Sequence, residues 1–337
     1  MKSSPNVWKR IFGTLVLPVA MYIAMASLCY ANGKTYFGSL SMWKTLVVDL
    51  AVSVTCAMGI GLQFKCGRFD FSGGAIMLVS VIIAGNIAKA NGSNPLLFAV
   101  ICQAVSIVLS LLVAVLYVYG RLPIMICTIG MALLYEAVTC LIYGGSGIHL
   151  VSNMKLKAFS LYPLVLVPLI GGIVVYAIFS ELTVSGKQST ILAMNQQAAV
   201  NIGVNERKNV FISYLFSGII FGFASMIYAT TGIRGGAFSS LATVGSLFVN
   251  ILPVFIGLML AKYCGDTIGI IMGALTLSLM SYALGAVFTS DMGKYISMVI
   301  IGIFILLVNV LSAQGGNLIS GFKKLFGGKK SPKENAV

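Results

Sequence analysis

Ten mostly apolar stretches of roughly twenty residues each, separated by polar gaps, leave this chain few places to fold other than a lipid bilayer. They lie at 11–31, 45–64, 71–88, 95–119, 122–143, 161–179, 210–231, 246–261, 268–288 and 295–313. A helix rising about 1.5 Å per residue needs about 20 such residues to cross the hydrocarbon, and a backbone in lipid must satisfy its own hydrogen bonds. The expected fold is therefore an all-α membrane protein with about ten transmembrane helices. It forms one transmembrane domain at 11–314, with a short N-terminal segment at 1–10 and a basic tail at 315–337. Only 9% of the residues are charged, too few for a second, water-exposed domain of ordinary size.

The cations settle orientation. Placing the N-terminus in the cytoplasm puts fifteen of the 22 Lys and Arg residues inside and seven outside, and an even number of crossings then brings both termini to the cytoplasm. The net charge of +14 is spread through the gaps, where it meets anionic lipid headgroups; no basic face of the kind that binds nucleic acid results. Lys9 and Arg10 precede an apolar run that contains Ala24-Met25-Ala26, as in a secretory signal. The length of the run marks it as a retained anchor.

Whole classes of chemistry lack their parts. The seven cysteines show no C-x-x-C spacing, and His149 is the single histidine, so no metal centre, cofactor site or catalytic triad is expected. Gly186-Lys187 is similar to the end of a phosphate loop, but Glu181 stands at its first glycine and Gln188 where a Ser or Thr would reach magnesium. The chain cannot hydrolyse ATP by that route.

Three of the eight acidic residues, Asp49, Asp70 and Glu136, fall in or beside apolar spans, where charge is costly. Glu136 is the deepest, and its type and position fit either a group facing a water-filled route or a structural hydrogen bond. Asp49 lies one turn into its span and reads as a structural residue reaching toward the surface. Asp70 sits in Gly67-Arg68-Phe69-Asp70-Phe71-Ser72-Gly73-Gly74, where Ser72 and free amides could cap a helix or meet ligand hydroxyls. Gly218-x-x-x-Gly222 and the ladder Gly265, Gly269, Gly273 mark close helix contacts.

The cytoplasmic gap at 180–209 is long, and its centre reads as a short helix. Asn195 is a good N-cap, residues 196–202 give two turns, and Gly203 suits the left-handed stop. So short a helix does not persist alone in water, so it docks on its own membrane domain or on a cytosolic partner.

This loop resembles something known. Gln197-Ala198-Ala199-Val200-Asn201-Ile202-Gly203 is similar to the E-A-A-x-x-x-G coupling motif of bacterial ABC importer permeases, with Gln for the usual Glu. Thr183, Gly186, Ala193, Asn195, Val204, Lys208, Tyr214, Ser217 and Gly218 extend the likeness to the ribose-type (monosaccharide) permease pattern. Phe69-Asp70-Phe71-Ser72-Gly73-Gly74 resembles that family's Ile-Asp-Leu-Ser-Val-Gly segment, and the stretch 123–130 resembles the start of its fifth span. Where the family often has Arg-Gly, this chain has Glu136-Ala137.

The resemblance implies a type II-like permease fold in the bacterial cytoplasmic membrane. It further implies a separate ABC ATPase subunit, an extracytoplasmic solute-binding protein and a second permease copy or paralogue. The solute would be a monosaccharide or related small polar molecule moved by alternating access. By that likeness Asn195, Gln197, Ala198, Ala199 and Gly203 are coupling contacts, while Asp70, Ser72 and Glu136 are candidates for the translocation route. The alternative is an ion-coupled secondary carrier that uses the intramembrane acids.

Overall fold

The structure, a computed structural model, describes residues 7–307 apart from 230, 262, 290–292, 294, 297 and 305. The span expected at 295–313 is described only in part, and the basic tail and the first six residues lie outside the described residues. Among the described residues the elements are helices: α1 (Val7–Ala31), α2 (Leu40–Lys65), α3 (Gly73–Ala90), α4 (Pro95–Gly120), α5 (Ile124–Leu141), α6 (Leu166–Ala177), α7 (Val184–Met194), α8 (Gln196–Asn201), α9 (Glu206–Tyr228), α10 (Ala242–Leu260) and α11 (Asp266–Val287). Eight of them, α1–α5 and α9–α11, are long and apolar enough to cross a bilayer. A bent pair makes up to nine, since Leu166–Leu182 meets Val184–Met194 at 70°.

That bend has a local cause. The chain leaves α6 through a wide turn at Ile178–Leu182, and Thr183 takes extended dihedrals while its hydroxyl accepts the Gly186 amide at 3.0 Å, which starts α7 afresh. Most of the gap read as a loop is thus helical. Its polar run Ser185, Lys187, Gln188, Ser189, Thr190 hides the periodicity that would reveal α7.

The bundle forms around α9, which packs on α2, α3, α4 and α6, while α1 lies at the edge against α11. Close approach depends on small residues. A Cβ on Gly218 would sit 2.9 Å from the Ile107 Cα of α4, and one on Gly273 would sit 2.5 Å from the Pro253 carbonyl of α10. Gly269 meets Gly257 in the same seam, whereas Gly265 is the N-cap of α11 and makes no such contact.

Two helices start against buried acids. Residues 66–72 run in from the end that carries α7 and α8, the elbow end, and α3 begins only at Gly73. Residues 231–241 come in from the opposite end: Ile148 and Arg234 bridge, Ala237 reaches Thr139, and α10 starts beside Glu136, about 18 Å along α5 from Ile124. The starts touch, since a Cβ on Gly74 would lie 2.8 Å from the Thr243 carbonyl. From there α3 heads away from the elbow, where Asn86 donates to the Gly147 carbonyl, and α10 heads toward it. Each helix start leaves amides without an intrahelical partner, and a buried acid accepts one of them in each case.

If the glycine seams hold the bundle, Gly218→Ile will lower the midpoint of thermal unfolding in detergent through a clash costing about 1–3 kcal/mol. Gly130→Ala, at a helical site with no neighbour within 4 Å, will not lower it. Equal midpoints for both variants would contradict the packing described.

Candidate functional site

The coupling segment folds as a capped elbow. Asn195 accepts the Ala198 amide at 2.9 Å and starts α8; Gly203, at φ +94°, closes it in the left-handed region that favours glycine; and Asn205 accepts the Lys208 amide at 3.0 Å to start α9. Gln196 donates to Glu206 at 2.5 Å across the turn. Ala199 is fully buried against Leu192 and Val204, which fastens α8 to its own chain. The outer face consists of Gln197, Ala198, Val200, Asn201, Ile202 and Gly203, all exposed, with Met194 at the end of α7 exposed as well. Ile202 is 71% and Met194 83% exposed, an apolar patch beyond the bilayer-crossing helices.

A buried polar strut joins this elbow to the break before α3. The Arg68 guanidinium, 6% exposed, donates to Asn209 Oδ1 at 3.0 Å and Ser213 Oγ at 2.9 Å on α9. Asn209 Nδ2 in turn donates to the Ser185 carbonyl at 2.8 Å and Ser189 Oγ at 3.1 Å on α7. Gly67 makes room for this, because a Cβ there would lie 2.9 Å from the Ala193 Cα. A second tie lies nearby: Lys65 donates to Asp266 at 2.6 Å and to Ser180 at 2.5 Å, joining α2, α11 and the wide turn. Sequence reasoning counted Arg68 and Lys65 only as topology signals. The available clue to Arg68 was a cation two residues from Asp70 inside a glycine-flanked segment.

Asp70 and Glu136 share one physical role. Asp70 Oδ1 accepts the Ser72 amide at 2.7 Å and its hydroxyl at 2.6 Å, at the start of α3. Glu136 Oε1 accepts the Thr243 amide at 2.7 Å and its hydroxyl at 2.6 Å, at the start of α10. Each acid therefore meets the positive end of a helix, where a carboxylate is stabilised. The α10 start needs the help, because Leu241 before it has no cap bond and sits at φ 58°, a conformation rare for a side chain of its kind. Both acids are buried, 4% and 2% exposed, and Ser72 is fully buried. The three candidate route residues thus line the junction of the two helix starts, and none lies on an open surface.

A model of the family described as branched-chain amino acid transport system / permease component matches residues 42–309. The chain belongs to this permease family. It is a multi-pass membrane transport component of the ABC importer type. Among curated relatives, it is 23% identical over 302 residues to the galactose/methyl galactoside import permease protein of Escherichia coli (strain K12), covering 82% of this chain and 88% of that one. The Haemophilus influenzae protein of the same name is 23% identical over 284 residues, 77% of this chain and 83% of the other. The fructose import permease protein of Bifidobacterium longum is 21% identical over 325 residues, 90% and 93% of the two chains.

In this permease the Glu136–Thr243 contact is expected to hold the α10 start in place. Glu136→Ala, which removes the carboxylate that accepts from the Thr243 amide and hydroxyl, will cost about 1–3 kcal/mol, read as a lower unfolding midpoint in detergent. Glu136→Gln keeps an acceptor oxygen and will cost less. Wild-type stability in Glu136→Ala would remove the tie from the account.

Proposed function

We propose that the chain is the membrane-spanning subunit of an ATP-driven importer for a monosaccharide or a related small polar solute. It works in the bacterial cytoplasmic membrane with a separate ABC ATPase docked on α8, a second permease copy or paralogue, and an extracytoplasmic binding protein that delivers the solute. The names of the sugar-importing relatives support the solute class. The observation that carries the coupling is the exposed patch on a rigidly capped α8, joined by buried hydrogen bonds to the break before α3.

The chemistry of coupling is mechanical. A partner closing on ATP pushes Gln197, Ala198 and Ile202; the caps at Asn195 and Asn205 keep α8 from unwinding under that load. Ala199 passes the displacement to Leu192 on α7, and the Ser189–Asn209–Arg68 strut passes it to residues 66–72. The starts of α3 and α10 touch at Gly74 and Thr243, so a shift of one repacks the other, and the route changes the side it faces.

Two substitutions on one short helix separate docking from folding. Ile202→Glu will leave the chain in the membrane but abolish co-purification of the ATPase and solute uptake, since it puts a charge into an apolar contact. Ala199→Asp puts the charge into the chain's own packing and will reduce the amount of folded protein recovered. Normal ATPase recovery and uptake with Ile202→Glu would refute docking on α8.

A further inference from the structure

One intramembrane acid is neither a helix cap nor buried. Asp49 lines a cavity of about 290 Å³ between α2, α10 and α11, in the half of the bundle opposite the elbow, with Ser53, Asn250, Ser278, Ser281 and Tyr282 around it. Tyr282 lies about 24 Å along α11 from Asp266, which pairs with Lys65 at the elbow end. Asn250 is about two turns beyond the α10 start at Thr243, so this wall belongs to a helix whose origin the junction controls.

The hydroxyls of the cavity differ from others in the bundle. Thr55, Ser80, Ser225 and Thr276 all donate to the carbonyl four residues back in their own helices. Ser53, Ser278 and Ser281 do not, and neither they nor the Asp49 carboxylate nor the Tyr282 hydroxyl has a hydrogen-bond partner among the described residues. Five polar groups on two helices are thus directed at one shared space, in an environment where an unmatched polar group is costly.

We propose that this cavity is a solute subsite of the permease, and that it takes a neutral polyhydroxylated solute such as a monosaccharide. The proposal rests on the importer function above and names the chemistry of its route. Sugar hydroxyls both donate and accept, which matches a wall of serine hydroxyls, while the Asp49 carboxylate accepts two donors at once and the Tyr282 ring offers an apolar face. The family description names amino acids, but a zwitterion needs a cation for its carboxylate. Asp49 is the one charged side chain among the described lining residues. Arg234, which reaches Thr231 on the cavity wall at 2.8 Å, is stacked 3.5 Å over the Tyr228 ring. A bare metal ion is a poor match, because the volume far exceeds one dehydrated cation and no cluster of three metal-ligating side chains occurs among the described residues.

The test uses the full chain in intact cells. Ser281→Cys places a thiol in the cavity wall, while six of the seven native cysteines are buried and Cys140 is half-buried, so the parent chain serves as the background. A membrane-impermeant methanethiosulfonate reagent is expected to label Ser281→Cys from outside. D-galactose or D-fructose at high millimolar concentration will slow labelling several-fold, and L-leucine will not. A second measurement is uptake by the complete importer in vesicles, where Asp49→Asn will raise the KM for the transported sugar roughly tenfold or more, the loss of a charged hydrogen bond. If sugar is transported but neither protects the cysteine nor responds to Asp49→Asn, the subsite falls and the importer function stands. Protection by L-leucine and not by sugars overturns the polyol assignment. If the complete importer moves no sugar, both the subsite and the solute class fall.

Discussion

An amide at the start of a helix has no partner of its own, and in hydrocarbon no water supplies one. This protein starts two of its helices against buried acids, and at each start one carboxylate accepts one such amide. Asp70 does it for α3 and Glu136 for α10, each with a single carboxylate oxygen taking both an amide and a hydroxyl. The acids are tolerated in the bundle because the helix ends they face are positive. The two starts are approached from opposite ends and meet at Gly74 and Thr243, so the centre of the protein is a joint and not a set of continuous rods. Under the proposed function, this contact is where one arrangement would give way to the other.

The same economy explains the elbow. Three side-chain caps in sequence, Thr183, Asn195 and Asn205, start α7, α8 and α9. They stiffen a region that would otherwise be a long loop, and the buried Arg68 strut ties that stiff region to the break before α3. An arginine with two charge-assisted hydrogen bonds to α9 resists sliding of the segment before α3 along that helix.

Much of this was legible in the residues. The apolar stretches locate the crossing helices among the described residues, although α10 starts at Ala242, ahead of the stretch expected from 246, because Thr243 is held by Glu136 and not by local propensity. Asn195 and Gly203 announced α8 by their types. Helix α7 was hidden, since its polar run has no apolar period and its stability comes from docking. The partners of Asp70 and Glu136 were equally out of reach, because a contact between positions 136 and 243 leaves no local trace in the sequence. Asp49 was the hardest to place. Its proximity to the end of a helix favoured a surface role, and only the packing of α10 and α11 shows the cavity it faces.

The central claim is that this chain is a passive gate worked from the elbow by a partner's ATP cycle. The most direct measurement is solute entry into vesicles containing the purified chain, alone or with its ATPase and binding protein, under an imposed proton or sodium gradient or with ATP. The account predicts accumulation only in the complete assembly and only with ATP. Accumulation by the chain alone, driven by an ion gradient, would contradict it.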